Sequence, residues 1–220
     1  MRNLWGILVA LAILASGYLH ETPTGTSVSN HYRQELPPCQ SGDLIFRFGD
    51  GRWSRFFRDV SSDDKRFSHV GIVVADQLGV SVVHSSADDS RGVGSVRRDT
   101  FSSFIDDYDD VAIFRLNVDG VTRREVAAAA ITYIGKPFDA KFELSTVDSV
   151  YCTELIRLVV NKVLGRVVVG TTQIMDLEIV ALDDCYRGSW LTKVYDKKQV
   201  DMRNNTVALF RSEQPANSLH

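Results

Sequence analysis

The chain has 220 residues, a hydrophobic content of 44%, a formal charge of −3 and a pI near 5.9. That content suits one substantial core rather than tandem domains, and the charge lacks the basic bias of a nucleic-acid surface. Arg91, Arg97 and Arg98 form a small basic cluster that reads as a solvated face, with contact to an anionic substrate as the alternative.

Met1-Arg2-Asn3 precedes an apolar run from Leu4 to Ala15, which ends in the small residues Ala15, Ser16 and Gly17. The run is shorter than the roughly 20 residues that span a bilayer, and it suits an export signal. Residues 1–17 are therefore expected to be a signal peptide or an N-terminal anchor. This predicts a chain in the periplasm or cell envelope, with any membrane contact made through residues 4–15. Residues 18–41 are polar, contain Pro23, Pro37 and Pro38, and read as a flexible lead-in. A single domain over 42–211 follows, and 212–220 is expected to fray.

Within the domain, Gly42-Asp43 is a turn signal leading into a strand over Leu44 to Phe48. Trp53 to Lys65 reads as a short helix or a loop. His69 to Ala75 and Val80 to Ser85 are strands joined by Asp76-Gln77-Leu78-Gly79, a loop suited to a hairpin. Val111 to Leu116 is a further strand, and Thr122 to Ile134 a helix with Thr122-Arg123-Arg124-Glu125 as its capping box. Gly135-Lys136-Pro137 stops it. A second helix opens near Cys152, with Leu155, Ile156, Val159, Val160 and Val163 at helical spacing, and ends at Gly165. Val167 to Val169, Leu191 to Tyr195 and Thr206 to Phe210 have strand character. Strands followed by helices without βαβ alternation predict an α+β fold with a mostly antiparallel sheet.

The chemistry concentrates on Cys152, because a helix start aims unpaired N–H groups and the positive end of the macrodipole at the sulfur, favouring thiolate. The hairpin loop pairs Ala75 with Val80 and hence Gly71 with His84, which puts His69 diagonal to His84 on one face. In that register His69 can take the Cys152 proton while His84 orients His69. The backbone N–H of Cys152 is the natural oxyanion donor. Tyr151 and Asp43 are candidates for the pocket wall, with core packing and a turn or strand cap as their respective alternatives. Zinc on His69, His84 and Cys152 is the competing chemistry, but short ligand pairs are lacking, so no metal and no organic cofactor is expected. Cys39 and Cys185 are able to form a disulfide that leaves Cys152 free; three reduced thiols packed as small hydrophobes are the equal alternative.

Gly42-Asp43-Leu44-Ile45-Phe46, Ser68-His69-Val70-Gly71-Ile72-Val73, Ile134-Gly135-Lys136-Pro137-Phe138-Asp139 and Tyr151-Cys152-Thr153-Glu154-Leu155 occur in an order that resembles one family. This is the YiiX/YaeF-like group of circularly permuted papain-fold cysteine hydrolases, relatives of the NlpC-type cell-wall amidases. The resemblance covers about Gly42 to Gly165 and implies a permuted papain-like fold, with His69 as base, Cys152 as nucleophile and position 84 as the orienting third member. Close relatives usually carry Glu at that third position, so His84 is a departure that resembles the lecithin:retinol acyltransferase branch. It removes a fixed negative charge beside His69, and the acid limb of activity should move. The expected function is a cysteine hydrolase forming an acyl-enzyme, with a small peptide or peptidoglycan fragment as substrate. An acylated lipid substrate, or a non-catalytic binding module of the same fold, is the alternative.

Overall fold

Short apolar runs of β-branched and aromatic residues, joined by one polar segment that pairs at the edge, build the sheet that carries the site. In the computed structural model, which describes residues 39–48, 52–61, 65–88, 91–105 and 110–197, these segments become strands. They are β1 (Leu44–Arg47), β2 (His69–Asp76), β3 (Gly79–Ala87), β4 (Gly94–Thr100) and β5 (Val111–Leu116), joined by β8 (Leu191–Asp196). The order is β4-β3-β2-β1-β5-β8, and every neighbouring pair is antiparallel. A separate hairpin pairs β6 (Thr172–Ile174) with β7 (Leu177–Ile179). The chain thus has the expected α+β fold with its antiparallel sheet.

Both sheet faces are buried, because successive side chains of an apolar run point to opposite faces. Leu44, Phe46, Val70, Ile72, Val74 and Val83 point into the larger core, which includes apolar residues of α3 (Gly120–Ile131) and α4 (Cys152–Leu164). Ile45, Val73, Val82 and Ile113 point into a smaller core under α2 (Phe101–Ile105). The remaining helix, α1 (Arg52–Val60), brings Phe57 to the larger core.

Several local expectations are corrected. Helix α3 starts earlier than expected, because Asp119 caps it by accepting Val121 N–H and Thr122 N–H, each at 2.8 Å, so the Thr122 box is not the start. Val167 to Val169 form no strand: Asn161 of α4 accepts the N–H groups of Val168 and Val169 and donates to Val169 C=O, giving these valines a local partner. Residues 39–41 of the expected lead-in are tied down, with Ser41 Oγ donating to Ala75 C=O at 2.9 Å and accepting Ala75 N–H at 2.9 Å. The segments 1–17 and 212–220 and the strand expected over Thr206 to Phe210 lie outside the described residues. Cys39, Cys152 and Cys185 are all free, and a Cys39–Cys185 disulfide is ruled out by position: Cys39 packs on the smaller core and Cys185 lies in the larger, on opposite faces of the sheet.

Asp43 joins β1 to β5. Its carboxylate is fully buried and accepts two bonds from Arg115, at 2.8 and 2.7 Å, besides Gln40 N–H at 2.8 Å. Asp43→Ala leaves the Arg115 guanidinium without its counter-charge and should cost about 3 kcal/mol in urea denaturation. An unchanged midpoint would show that the pair adds no net stability.

The β2–β3 hairpin is the element on which the site is built. Ala75 pairs with Val80 as expected, but Asp76 also pairs with Gly79, so the loop shrinks to Gln77 and Leu78, with Gly79 at φ +110°. Gly71 lies where the two strands approach closely, and a Cβ there would sit 2.4 Å from Val82 Cγ1 and 3.1 Å from His84 Cβ. Gly71→Ala should therefore cost about 1–3 kcal/mol by overpacking. A stability equal to wild type would mean that the hairpin has slack at this point.

Candidate active site

His69 opens β2 and His84 lies near the middle of β3, and the register sets them side by side. His69 Nε2 and His84 Nδ1 are 2.9 Å apart, with the rings edge to face at 85°. Phe104 of α2 packs on both, its centroid 5.7 Å from the His69 ring and 5.0 Å from the His84 ring. His84 is fully buried and His69 half-buried. The hydrogen-bond path continues outward, since His84 Nε2 lies 3.0 Å from Asp99 Oδ2 on β4, the same oxygen that accepts Arg97 Nε–H at 2.9 Å. Arg47, the cross-strand partner of His69, stands over Phe104 with its guanidinium carbon 4.7 Å from the ring centroid.

These surroundings fix the charge states. Burial lowers His69 well below the ordinary imidazole value, and the positive Arg47, then His84 and Arg97, add to it. Burial also takes His84 down to about 4, against an upward pull from Asp99. Asp99 is held below the usual carboxylate value: burial would raise it, but the His84 and Arg97 bonds outweigh that. At neutral pH the array reads neutral ring, neutral ring, carboxylate.

Cys152 is the first residue of α4. Tyr151 is extended at φ −96° and ψ 173°, and Glu154 reaches back to accept Tyr151 N–H at 3.3 Å. Leu155, Ile156, Val159 and Val160 bury one side of the helix, and Gly165 ends it at φ +63°. The approach to Cys152 is tied to the sheet, because Ser85 Oγ donates to Val150 C=O at 2.6 Å while Val150 N–H donates to Pro137 C=O at 2.9 Å. The β2–β3 ladder ends at the Ile72–Val83 pair, which releases Val70 N–H. The N–H groups of Val70, Thr153 and Cys152 lie on the side of the sulfur and favour its anion.

Burial nevertheless dominates, pushing the thiol up to about 12. This corrects the expected resting thiolate: the helix-start donors are in place, but the sulfur is almost wholly buried beside an apolar core. Among the described residues no hydrogen bond joins the sulfur to either imidazole. The thiol lies beside Val70, the residue next to His69.

The two pocket-wall candidates both make structural contacts. Tyr151 is core: its hydroxyl accepts Val180 N–H at 2.9 Å, and its ring packs on Phe57 and Phe142. Asp43 is committed to Arg115 at the opposite end of β1 from Arg47. Asp99 and Glu154 were not singled out by the sequence reading. Asp99 follows by two residues Arg97, the residue paired with His84, so the diagonal rule that linked the histidines would also have found it once Gly94–Thr100 was read as a strand. Burial raises Glu154 to about 7 despite the Tyr151 N–H bond, and its role is to hold the turn that presents Cys152.

A family model described as permuted papain-like amidase enzyme, YaeF/YiiX, C92 family, matches residues 38–207. Among solved structures, the metalloprotein yiiX from Escherichia coli O157:H7 is similar in fold, with a TM-score of 0.60 at 18% identity over 71% of this chain and 96% of that one. No curated protein matches the chain. The residues here do not fit a metal centre of the kind that description implies. The facing nitrogens of His69 and His84 bond each other instead of converging on a common point, and no group of three or more His, Cys, Asp or Glu side chains converges among the described residues. The His-bearing strand precedes the Cys-bearing helix in the permuted order, and with the match over residues 38–207 the chain belongs to the YaeF/YiiX, C92 family of permuted papain-like amidases, a family of cysteine hydrolases.

Proposed function

We propose that this chain is an exported cysteine amidase that cleaves a cell-wall peptide amide through an acyl-enzyme on Cys152. The observation that carries the reading is the 2.9 Å bond between His69 Nε2 and His84 Nδ1, which leaves His69 Nδ1 without a hydrogen bond among the described residues. With a neutral thiol and a neutral imidazole at rest, proton transfer accompanies attack. Cys152 Sγ bonds to the carbonyl carbon as its proton passes to His69 Nδ1, and the Cys152 N–H receives the oxyanion. The intermediate collapses with rupture of the C–N bond, and the amine leaves with the proton from His69. Water then attacks the thioester with His69 again as base, which releases the carboxylic acid and restores the thiol.

The family match supports an amide substrate, and the sequence resemblance to NlpC-type cell-wall amidases favours a small peptide or peptidoglycan fragment. The His at position 84 keeps an acylated lipid as the second reading. Incubation with peptidoglycan fragments and with phospholipid vesicles separates them, the first predicting new amines and the second free fatty acid.

Acylation is tested on the full chain with p-nitrophenyl acetate, followed by p-nitrophenolate release and mass spectrometry. Wild type should carry acetyl on Cys152, Cys152→Ala should carry none there, and His69→Ala should acylate about 100-fold more slowly. Because His69 is held below its ordinary value of 6.5, its base form persists as pH falls below 6.5, and the acid limb should lie under that value. Equal p-nitrophenolate release by Cys152→Ala would remove the assignment. Export rests on the run from Leu4 to Ala15, and N-terminal sequencing after expression in a bacterial host tests it. A start after Gly17, or an intact chain in the membrane fraction, supports export; an intact chain in the cytosol would exclude it.

A further inference from the structure

We propose that Asp99 is a positioning residue that sets the tautomers of both histidines and supplies the anion for the charge formed on His69; this rests on the reading of His69 as the base for Cys152. The argument is one of donors and acceptors. Asp99 Oδ2 is 3.0 Å from His84 Nε2, and an ionised carboxylate only accepts, so Nε2 of His84 must carry its proton. His84 Nδ1 is then a bare acceptor. The nitrogen 2.9 Å from it, His69 Nε2, must therefore donate, which leaves His69 Nδ1 without a proton and able to take one. Reversing the first bond would reverse the whole array and place a proton on His69 Nδ1, where it cannot act as base.

The carboxylate is fixed in turn. Arg97 Nε, which only donates, reaches the same Oδ2 at 2.9 Å, so that point must be an acceptor. Strand β4 carries both residues and is braced on its outer side, where Gly135 N–H donates to Val96 C=O and Val96 N–H donates to Lys136 C=O, each at 2.8 Å. The charged and titratable groups near the rings are Arg47 from β1, His69 and His84 themselves, Arg97 and Asp99 from β4, and the protonated Cys152 of α4 beside Val70; helix α2 contributes the apolar Phe104. Of these only Asp99 is negative.

Asp99→Ala and Asp99→Asn separate the two roles. Asparagine still offers an oxygen at the point Arg97 demands, so it keeps the tautomers while removing the charge. Imidazole 15N NMR on the full chain at pH 7 should show wild-type His69 and His84 both protonated at Nε2, Asp99→Asn unchanged, and Asp99→Ala a mixture. Acylation by p-nitrophenyl acetate should slow at least about tenfold in Asp99→Ala and less in Asp99→Asn. In Asp99→Asn the acid limb should move to lower pH, because loss of a nearby anion makes His69 harder to protonate. Arg98→Ala, which removes the bonds to Ser81 and Asp76 from the same strand, controls for distortion and should leave the NMR pattern intact. Wild-type 15N shifts in a folded Asp99→Ala overturn the proposal. Loss of Cys152 acylation in wild type would instead defeat the catalytic reading, with the NMR comparison still deciding what Asp99 does.

Discussion

The pairing of Ala75 with Val80 is the constraint on which the site depends. A strand slipped by one residue turns every side chain to the other face, so His84 would enter the larger core and lose His69. The slip is opposed on both sides, because Val82 and Val83 fill different cores and exchange places only by leaving both badly packed. Gly79, at φ +110°, makes the tight turn that starts the count. From this one register follow the histidine bond, the seat of Phe104 against both rings and the release of Val70 N–H beyond the last paired residues.

The electrostatics of the site are divided between its two ends. At Cys152 three N–H groups favour the anion, yet burial is stronger and the thiol stays protonated. At the other end Asp99 remains ionised because it touches Arg97 and the protein edge, with 24% of its side chain exposed. The negative charge is therefore kept where water can reach it, and its influence enters through two neutral rings. This arrangement avoids placing a carboxylate directly against His69 in a buried setting, where its own desolvation would be costly.

Most of the fold was legible because the strands obey period two and the helices period 3.6. His69, His84 and Cys152 could be brought together on paper from a loop and a helix start. Asp99 was hidden because Gly94-Ser95-Val96-Arg97-Arg98-Asp99-Thr100 contains a single large apolar residue and reads as a charged loop; it is a strand through pairing with β3. Asp43 and Tyr151 were ambiguous for a different reason: their partners, Arg115 and Val180, are far away in the chain, and no local pattern announces them. The valines after Gly165 show the converse, where strand propensity gave way to one asparagine side chain.

The segment from Gly135 to Phe138, which marks the end of α3 in the sequence, has a second effect on the sheet. It lies along the outer side of β4, with Ser95 bridged to Pro137 and Phe138 N–H donating to Gly94 C=O. An uncovered edge strand is a template for pairing with another chain, and a proline beside it interrupts any ladder that tried to form. The sheet is thereby closed to edge-to-edge growth beside the proposed site, which protects a chain with two buried faces from strand-by-strand association with its own copies.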